Sequence, residues 1–422
     1  LRQTSWIRLF SGNYAFPAHH LQSAQKPQRE ARYDRTVFAR DENYWQLSEE
    51  LRLTSPSGEK IEYLAGIFYY KSNWESVDIQ DWGTPAFPSP PSPISGQLFN
   101  GGFSNNFSQK TETISIFGQL TWNISDVLRA TGGLRYTDEQ KDILYGRVNF
   151  APLTIWNTVA NPPFPITPLE FSDSFVNGNI NVQYDVNADV MVYASFGHGT
   201  KTGGYVETNT VPTANPLVEA FVDSETAKSY EIGTKMSLLE NTANLNISVF
   251  YTTVDNFQET TFTGVAFVTD NIPLETKGIE VEAAWMATDN FRFNGALTYA
   301  DARERNTGLH PAQAPLWTGY MGVTYEQDVS DNLAVRINGT VRHRSEMYNQ
   351  KGHVLPSDAY TTLDASIALL DVSDLWEVKI VGRNLTNAIT ADFGSPNPDP
   401  TFASAEGPAQ LRTIKLLFSY NF

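Results

Sequence analysis

The chain ends on an alternating stretch. Residues 410–422 read Q-L-R-T-I-K-L-L-F-S-Y-N-F. Ile414, Leu416, Phe418, Tyr420 and Phe422 fall on one face, and Thr413, Lys415, Ser419 and Asn421 on the other, with Leu417 the only apolar intruder. Period-two alternation marks a strand with one apolar and one polar side. In a soluble domain such a terminal strand exposes a sticky edge. A closed transmembrane barrel accommodates it, because the last strand pairs with the first and the apolar face meets lipid.

Composition agrees. Aromatics make up 13% of the 422 residues and charged residues 18%, a mixture suited to a barrel with aromatic girdles. No apolar run approaches the roughly 18–20 residues of a membrane helix, which says nothing against strands that hide their apolar band in every second residue. The net charge of −17 argues against a nucleic-acid partner. There is no cysteine, so neither a disulfide framework nor a thiolate metal site is expected. No signal peptide is visible at residues 1–10, so the expectation is a mature chain or one lacking its N-terminal part.

A rhythm of strand pairs runs through the sequence. Tight turns fall at Asn123-Ile-Ser-Asp126, Asp185-Val-Asn-Ala-Asp189, Glu240-Asn241, Asp289-Asn290, Ser330-Asp331 and Ser373-Asp374. Long irregular loops are expected at 75–108, 144–171, 202–224, 303–313, 348–357 and 388–406. Short turns at one end and long loops at the other is the layout of an outer-membrane barrel. The turns recur roughly every 40–60 residues, a period near that of propeller blades, but strands such as 243–262 and 267–287 are too long for a propeller or a sandwich. The reading is an all-β, transmembrane antiparallel β-barrel of about 15–16 strands, the first at 4–10 being the least defined.

The strands assign their own faces. In 333–344, Leu333, Val335, Ile337, Gly339 and Val341 oppose Ala334, Arg336, Asn338, Thr340, Arg342 and Arg344. An arginine facing lipid near the midplane costs about 2–4 kcal/mol, so these arginines are expected to point into the lumen. Arg336, Arg342 and Arg344, joined by Lys379 and Arg383, are candidate lumen contacts for an anionic substrate or for carboxylates of protein filling the lumen. The preferred reading is charge neutralisation by neighbours such as Asp364 and Glu377. Trp74, Trp82 and Phe103, in the aromatic, proline-rich first loop, and Trp156 in the second, are candidate extracellular-loop ligand contacts. They fit ligand stacking and loop self-packing equally. The histidines, His19 and His20 included, show no metal-ligand spacing, and no catalytic, cofactor or metal site is expected.

Several segments resemble the TonB-dependent receptors, energy-coupled importers of Gram-negative outer membranes. They are Gly132-Gly-Leu-Arg-Tyr-Thr-Asp-Glu139, the glycine-rich run 192–205, Glu225-Thr-Ala-Lys-Ser-Tyr-Glu-Ile-Gly-Thr-Lys235, Lys277-Gly-Ile-Glu-Val-Glu282, Val381-Gly-Arg-Asn-Leu-Thr-Asn387 and the terminal strand. The resemblance implies a barrel of about 22 strands with a plugged lumen, of which residues 1–422 are the C-terminal portion without the plug. It implies a bacterial outer-membrane location, lipid contact, the TonB energy-transducing complex as partner, and a bulky scarce substrate: a ferric siderophore, cobalamin, haem or an oligosaccharide. It implies no enzyme. The alternatives are a passive porin and a structural or scaffolding barrel whose loops bind a surface protein.

Overall fold

The computed structural model describes residues 36–82, 101–150, 162–207, 217, 220–262, 267–352, 354–373, 375–395, 405–408 and 411–421. The first strands are β1 (Thr36–Thr54), β2 (Ile61–Trp82), β3 (Gly101–Asn123), β4 (Leu128–Phe150), β5 (Phe164–Asp185) and β6 (Val190–Lys201). Then come β7 (Gly204–Tyr205), β8 (Phe221–Val222), β9 (Glu225–Leu238), β10 (Ala243–Phe262), β11 (Phe267–Thr288), β12 (Phe291–Glu304), β13 (Trp317–Ser330) and β14 (Leu333–Arg344). The chain finishes with β15 (Met347–Gln350), β16 (Val354–Ser357), β17 (Tyr360–Asp371), β18 (Trp376–Arg383), β19 (Ala391–Ser395), β20 (Ala405–Pro408) and β21 (Thr413–Tyr420).

Fifteen of these form one sheet in the order β1-β2-β3-β4-β5-β6-β9-β10-β11-β12-β13-β14-β17-β18-β21. Every neighbouring pair is antiparallel. The pairs β7-β8, β15-β16 and β19-β20 are separate two-stranded hairpins on the long-loop side. The short connections fall at the expected turns. At the β9–β10 turn Leu239, Glu240 and Asn241 all have positive φ, of 53°, 56° and 67°. The Thr242 N–H and hydroxyl both donate to the Leu239 carbonyl, at 3.1 and 2.8 Å, and hold that turn closed. The strand expected at 4–10 lies outside the described residues.

Cross-strand register keeps like faces together, so one face of the sheet is apolar along its whole width. Ile67 pairs with Ile116, Tyr136 with Val176, Ile232 with Val249 and Ile337 with Ile367. Ile414, Leu416 and Phe418 of β21 are 70%, 71% and 69% exposed on that face. Aromatics cluster at both of its borders. Trp285 stacks on Phe293 near the turns, and Tyr299 meets Trp317 at 4.8 Å near the loops. The opposite face is polar and internally bonded: Ser115 to Thr137 at 3.0 Å, Thr121 to Thr131 at 3.0 Å, Ser229 to Thr252 at 2.9 Å and Thr324 to Asn338 at 2.9 Å. Such cross-strand pairs contribute roughly 0.2–1 kcal/mol each. The loop-side hairpin β7-β8 lies against this polar face, which is called the inner face below.

The strands run further toward the loops than the sequence indicates. The first long loop, expected at 75–108, is shorter, because β2 continues to Trp82 and β3 begins at Gly101. Likewise β4 reaches Phe150 and β5 starts at Phe164 inside the expected 144–171 loop. These extensions project beyond the apolar band, where lipid no longer enforces alternation on the outer face. In β10 a bulge between Val254 and Phe257 adds a residue relative to β11, with Asn256 at φ 57°. The inner face therefore changes from Phe250 and Thr252 below the bulge to Phe257 and Glu259 above it.

Candidate functional site

The loop-side ends of β1 to β4 carry the most heavily packed cluster of the inner face. Phe107, Ile143, Tyr145 and Ala220 form its apolar centre, with Trp74, Phe164 and Tyr205 packed against them. Trp74 meets Phe107 at 5.3 Å, Phe107 meets Tyr145 edge-on at 5.5 Å, and Tyr145 meets Phe164 edge-on at 5.0 Å. Arg147, 1% exposed, is set between Phe103 and Phe164, its guanidinium carbon 4.9 and 5.6 Å from their rings. Its Nε donates to Asn105 Oδ1 at 2.7 Å. A desolvated cation between ring faces gains up to about 2 kcal/mol from each good contact.

Glu207 closes the cluster from the inner side. Its Oε1 accepts from Ser76 Oγ at 3.0 Å, and its Oε2 lies 3.4 Å from Arg40 Nη2. Its backbone carbonyl accepts from the Tyr145 hydroxyl at 2.5 Å and from Asn105 Nδ2 at 3.5 Å. Burial raises the Glu207 carboxyl above its ordinary range, while Arg40 and Ser76 pull it part of the way back. Two strand pairs distant in sequence thus grip the segment that carries Glu207.

The same segment is fixed at its base. Lys141 Nζ donates to Thr202 Oγ1 at 2.9 Å and to the Gly203 carbonyl at 2.6 Å, and Thr202 Oγ1 donates to Glu139 at 2.6 Å. Gln258 Nε2 donates to the carbonyls of Thr202 and Asp223 at 3.2 and 3.0 Å. Gly203 packs so closely on the Val222 carbonyl that a Cβ would collide with it, and Gly204 sits at φ +145°. The glycine-rich run is therefore a sharp inward hairpin, a use of glycine that needs both room and a backbone other residues avoid.

The arginine row lies on the inner face of the other half of the sheet. Arg336 Nε donates to Glu326 at 2.7 Å, and its Nη1 lies 3.4 Å from Glu377, which in turn lies 3.9 Å from Lys379. Arg342 pairs with Asp364 at 2.6 Å. Arg344 donates to Ser357 Oγ at 2.9 Å and to the Asp358 carbonyl at 3.1 Å, with Tyr360 below it at 4.7 Å. Thr298, Tyr320, Arg342, Arg344, Tyr360 and Asp364 line an open hollow of about 620 Å³. Arg342 is half exposed there. Arg383, at the end of β18, is exposed, and the register places it opposite Thr413 of β21.

Trp74 and Phe103 are strand residues, which corrects their expected loop position. Trp74 lies in β2, and Phe103 lies in β3, 1% exposed beneath Arg147. The inward packing buries Phe103, whereas Trp74 meets Phe107 and stays half-buried. Trp82 ends β2, and Trp156 lies outside the described residues. Glu207, Tyr145, Arg147 and Lys141 escaped the sequence reading, since their partners are brought together only by tertiary structure. The inward lysine and arginine at 141 and 147, in a strand extending past its apolar stretch, were the one available signal. Among the described residues no three His, Cys, Asp or Glu side chains group as metal ligands, and no helix is long and apolar enough to cross a membrane.

Comparison with known proteins places this architecture. Residues 2–385 match the family model described as TonB dependent receptor-like, beta-barrel. The pesticin receptor of Yersinia enterocolitica is 25% identical over 267 residues, which cover 61% of this chain and 36% of that protein. The chain thus aligns with little more than a third of that relative's length. Among solved structures, the ferric yersiniabactin uptake receptor FyuA of Yersinia pestis superposes with a TM-score of 0.73 at 18% identity, over 92% of this chain and 57% of that one. The siderophore receptor PiuA of Acinetobacter baumannii gives 0.68 at 15% identity, over 90% and 56%.

Proposed function

This chain belongs to the TonB-dependent receptor-like β-barrel family, and from that premise we propose that it forms most of the barrel wall of an outer-membrane receptor. The receptor imports a bulky, scarce nutrient with energy delivered through TonB. A ferric siderophore leads the substrate classes, because the superposing relatives are named for ferric yersiniabactin and for siderophore uptake. Cobalamin and oligosaccharides are the other members of the proposed class.

The sidedness of the wall is the observation that carries this reading. A face with Ile414, Leu416 and Phe418 outward suits lipid, and a polar, hydrogen-bonded face suits a water-filled or protein-filled lumen. On the inner face the hollow beside Arg342 and Arg344 supports contact with an anionic ligand or with a plug, because Arg342 keeps open surface while bound to Asp364. Arg336 and Lys379 share carboxylates with their neighbours, which suits wall neutralisation. Arg383 is the further inner cation proposed for such contacts, and Trp82, at the loop-side end of β2, and Trp156 remain proposed ligand contacts.

The test is uptake of labelled iron on a panel of siderophores, and of cobalamin and oligosaccharides, by cells carrying the full-length gene. The expected result is import of one class that disappears when the energy transducer is deleted. Import that persists without the transducer, or no import of any class, overturns the reading.

A further inference from the structure

One tyrosine of the inner face stands apart from the others. Tyr44 and Tyr70 share a hydrogen bond at 2.8 Å, the Tyr193 hydroxyl donates to Glu231 at 2.5 Å, and the Arg344 guanidinium carbon lies 4.7 Å from the Tyr360 ring. Tyr320, in β13, has no side-chain hydrogen bond and no ring contact among the described residues, and it is 43% exposed. On the outer face such a ring meets lipid. On the inner face it offers a free aromatic surface, the kind of group that ligand sites use for stacking.

The register supplies the surroundings of that ring. Tyr320 stands directly opposite Ala296 of β12 and Arg342 of β14, and Arg342 stands directly opposite Thr362 of β17. One row nearer the loops, Thr298, Thr318, Arg344 and Tyr360 follow in the same order. These two rows line the hollow of about 620 Å³, with small side chains at 296, 298, 318 and 362 between the larger ones. The hydroxyls of Thr298, Thr318 and Thr362 have no hydrogen-bond partner among the described residues. Directly opposite Cβ atoms lie roughly 5 Å apart, so a ring laid on Tyr320 brings its substituents within reach of the Arg342 guanidinium. Charge in the hollow is lopsided. Arg342 is paired with Asp364 at 2.6 Å, whereas Arg344 donates to neutral oxygens, the Ser357 hydroxyl and the Asp358 carbonyl. One cationic charge is left over for a ligand. The hollow lies at the loop-side ends of the strands, since β13 begins at Trp317, β14 ends at Arg344 and β17 begins at Tyr360.

We propose that Tyr320 is the specificity-determining residue of this hollow, selecting ligands that carry an aromatic ring bearing a carboxylate or a phenolate. The ligand ring stacks on Tyr320, its anionic oxygens accept from Arg342, and the threonine hydroxyls serve its other substituents. A neutral sugar would cover the same ring and leave the cationic charge unanswered. An aliphatic anion would answer the charge and leave the ring bare. The inference rests on the import reading above and narrows its substrate class to ligands with such an aryl group.

The test is binding of small probes to the purified full-length receptor. It involves no transport step, so its failure and that of the uptake experiment are told apart. The probes are salicylate, cyclohexanecarboxylate of the same charge, and neutral methyl glucoside. Salicylate is expected to bind wild type tightest of the three, a comparison that needs no variant. Tyr320→Leu is expected to weaken salicylate roughly three- to tenfold and to leave cyclohexanecarboxylate unchanged. Tyr320→Phe, which keeps the ring, is expected to hold salicylate as wild type does. Salicylate binding no tighter than either other probe overturns the proposal. So does an equal loss of both anions in a Tyr320→Leu receptor that melts at the wild-type temperature. Failure of salicylate to bind at all also overturns it, because the hollow is then closed to ligands in the full-length receptor.

Discussion

The Tyr145 hydroxyl donates to the backbone carbonyl of Glu207 at 2.5 Å, closing a contact between residues 62 positions apart. Tyr145 is 1% exposed, so the carbonyl it serves has little access to water. Removing that donor leaves a buried acceptor with a weaker set of partners, at a cost of about 1–3 kcal/mol. Tyr145→Phe is therefore expected to loosen the inward hairpin without unfolding the sheet. Protease cleavage between β7 and β8 should accelerate by roughly tenfold or more, since ~1.4 kcal/mol is tenfold in an equilibrium. Unaltered cleavage would show that the hairpin is held by its base alone.

Seating of the hairpin is expected to depend on pH through Glu207. Its carboxyl is raised in the seated state, chiefly by burial. A carboxyl with a raised pKa takes up a proton on seating. The stabilisation is complete below the ordinary glutamate value of about 4.3 and is lost as pH rises through the raised value. Hydrogen exchange of residues 204–207, corrected for its intrinsic pH dependence, should thus quicken as the medium moves from acid to neutral. Glu207→Gln should flatten that response. A slope of the opposite sign would mean that the Arg40 pair outweighs burial.

The arginine row gives a coupling prediction. Arg336 and Glu326 are each about a third exposed, so solvent screens their 2.7 Å pair. A double-mutant cycle with Arg336→Met and Glu326→Gln is expected to give about 1 kcal/mol, measured by unfolding in lipid vesicles. Arg342→Ala is expected to leave stability nearly unchanged and to lower affinity for an anionic ligand. A neutral ligand in the same titration should bind as before.

Charge on the two faces should have unequal effects. Ile116 is 58% exposed on the apolar face, and Gln119 lies on the inner one. Ile116→Arg is expected to cost about 2–4 kcal/mol in a bilayer, and Gln119→Arg much less. Vesicle-based unfolding of both variants checks the order. Equal penalties would remove the assignment of Ile116 to lipid.

The sequence made the apolar band legible because lipid enforces alternation residue by residue. Ile337 and Val341 declare their face, and so do Leu416 and Phe418. The turns were legible too, since Asn and Asp at 289–290 and 331–332 have few other uses in such spacing. Beyond the band the constraint lapses. The run Ser104-Asn105-Asn106 reads as loop, yet it continues β3, because its hydrogen bonds are dictated by β2 and β4 rather than by its own side chains. The hairpin grip was invisible for a related reason. Glu207 sits in a stretch without periodicity, and Arg40, Ser76 and Tyr145 become its neighbours only through the order of the sheet.

The bulge at Asn256 splits β10 into two segments with independent reading frames. Below it Val249 and Tyr251 face outward, while above it Glu259, of the same parity, is buried on the inner side. An insertion or deletion above Asn256 would re-face the outer end of the strand and leave the lipid-facing residues where they are. The outer end can therefore change length and partners over evolutionary time while the apolar band keeps its phase.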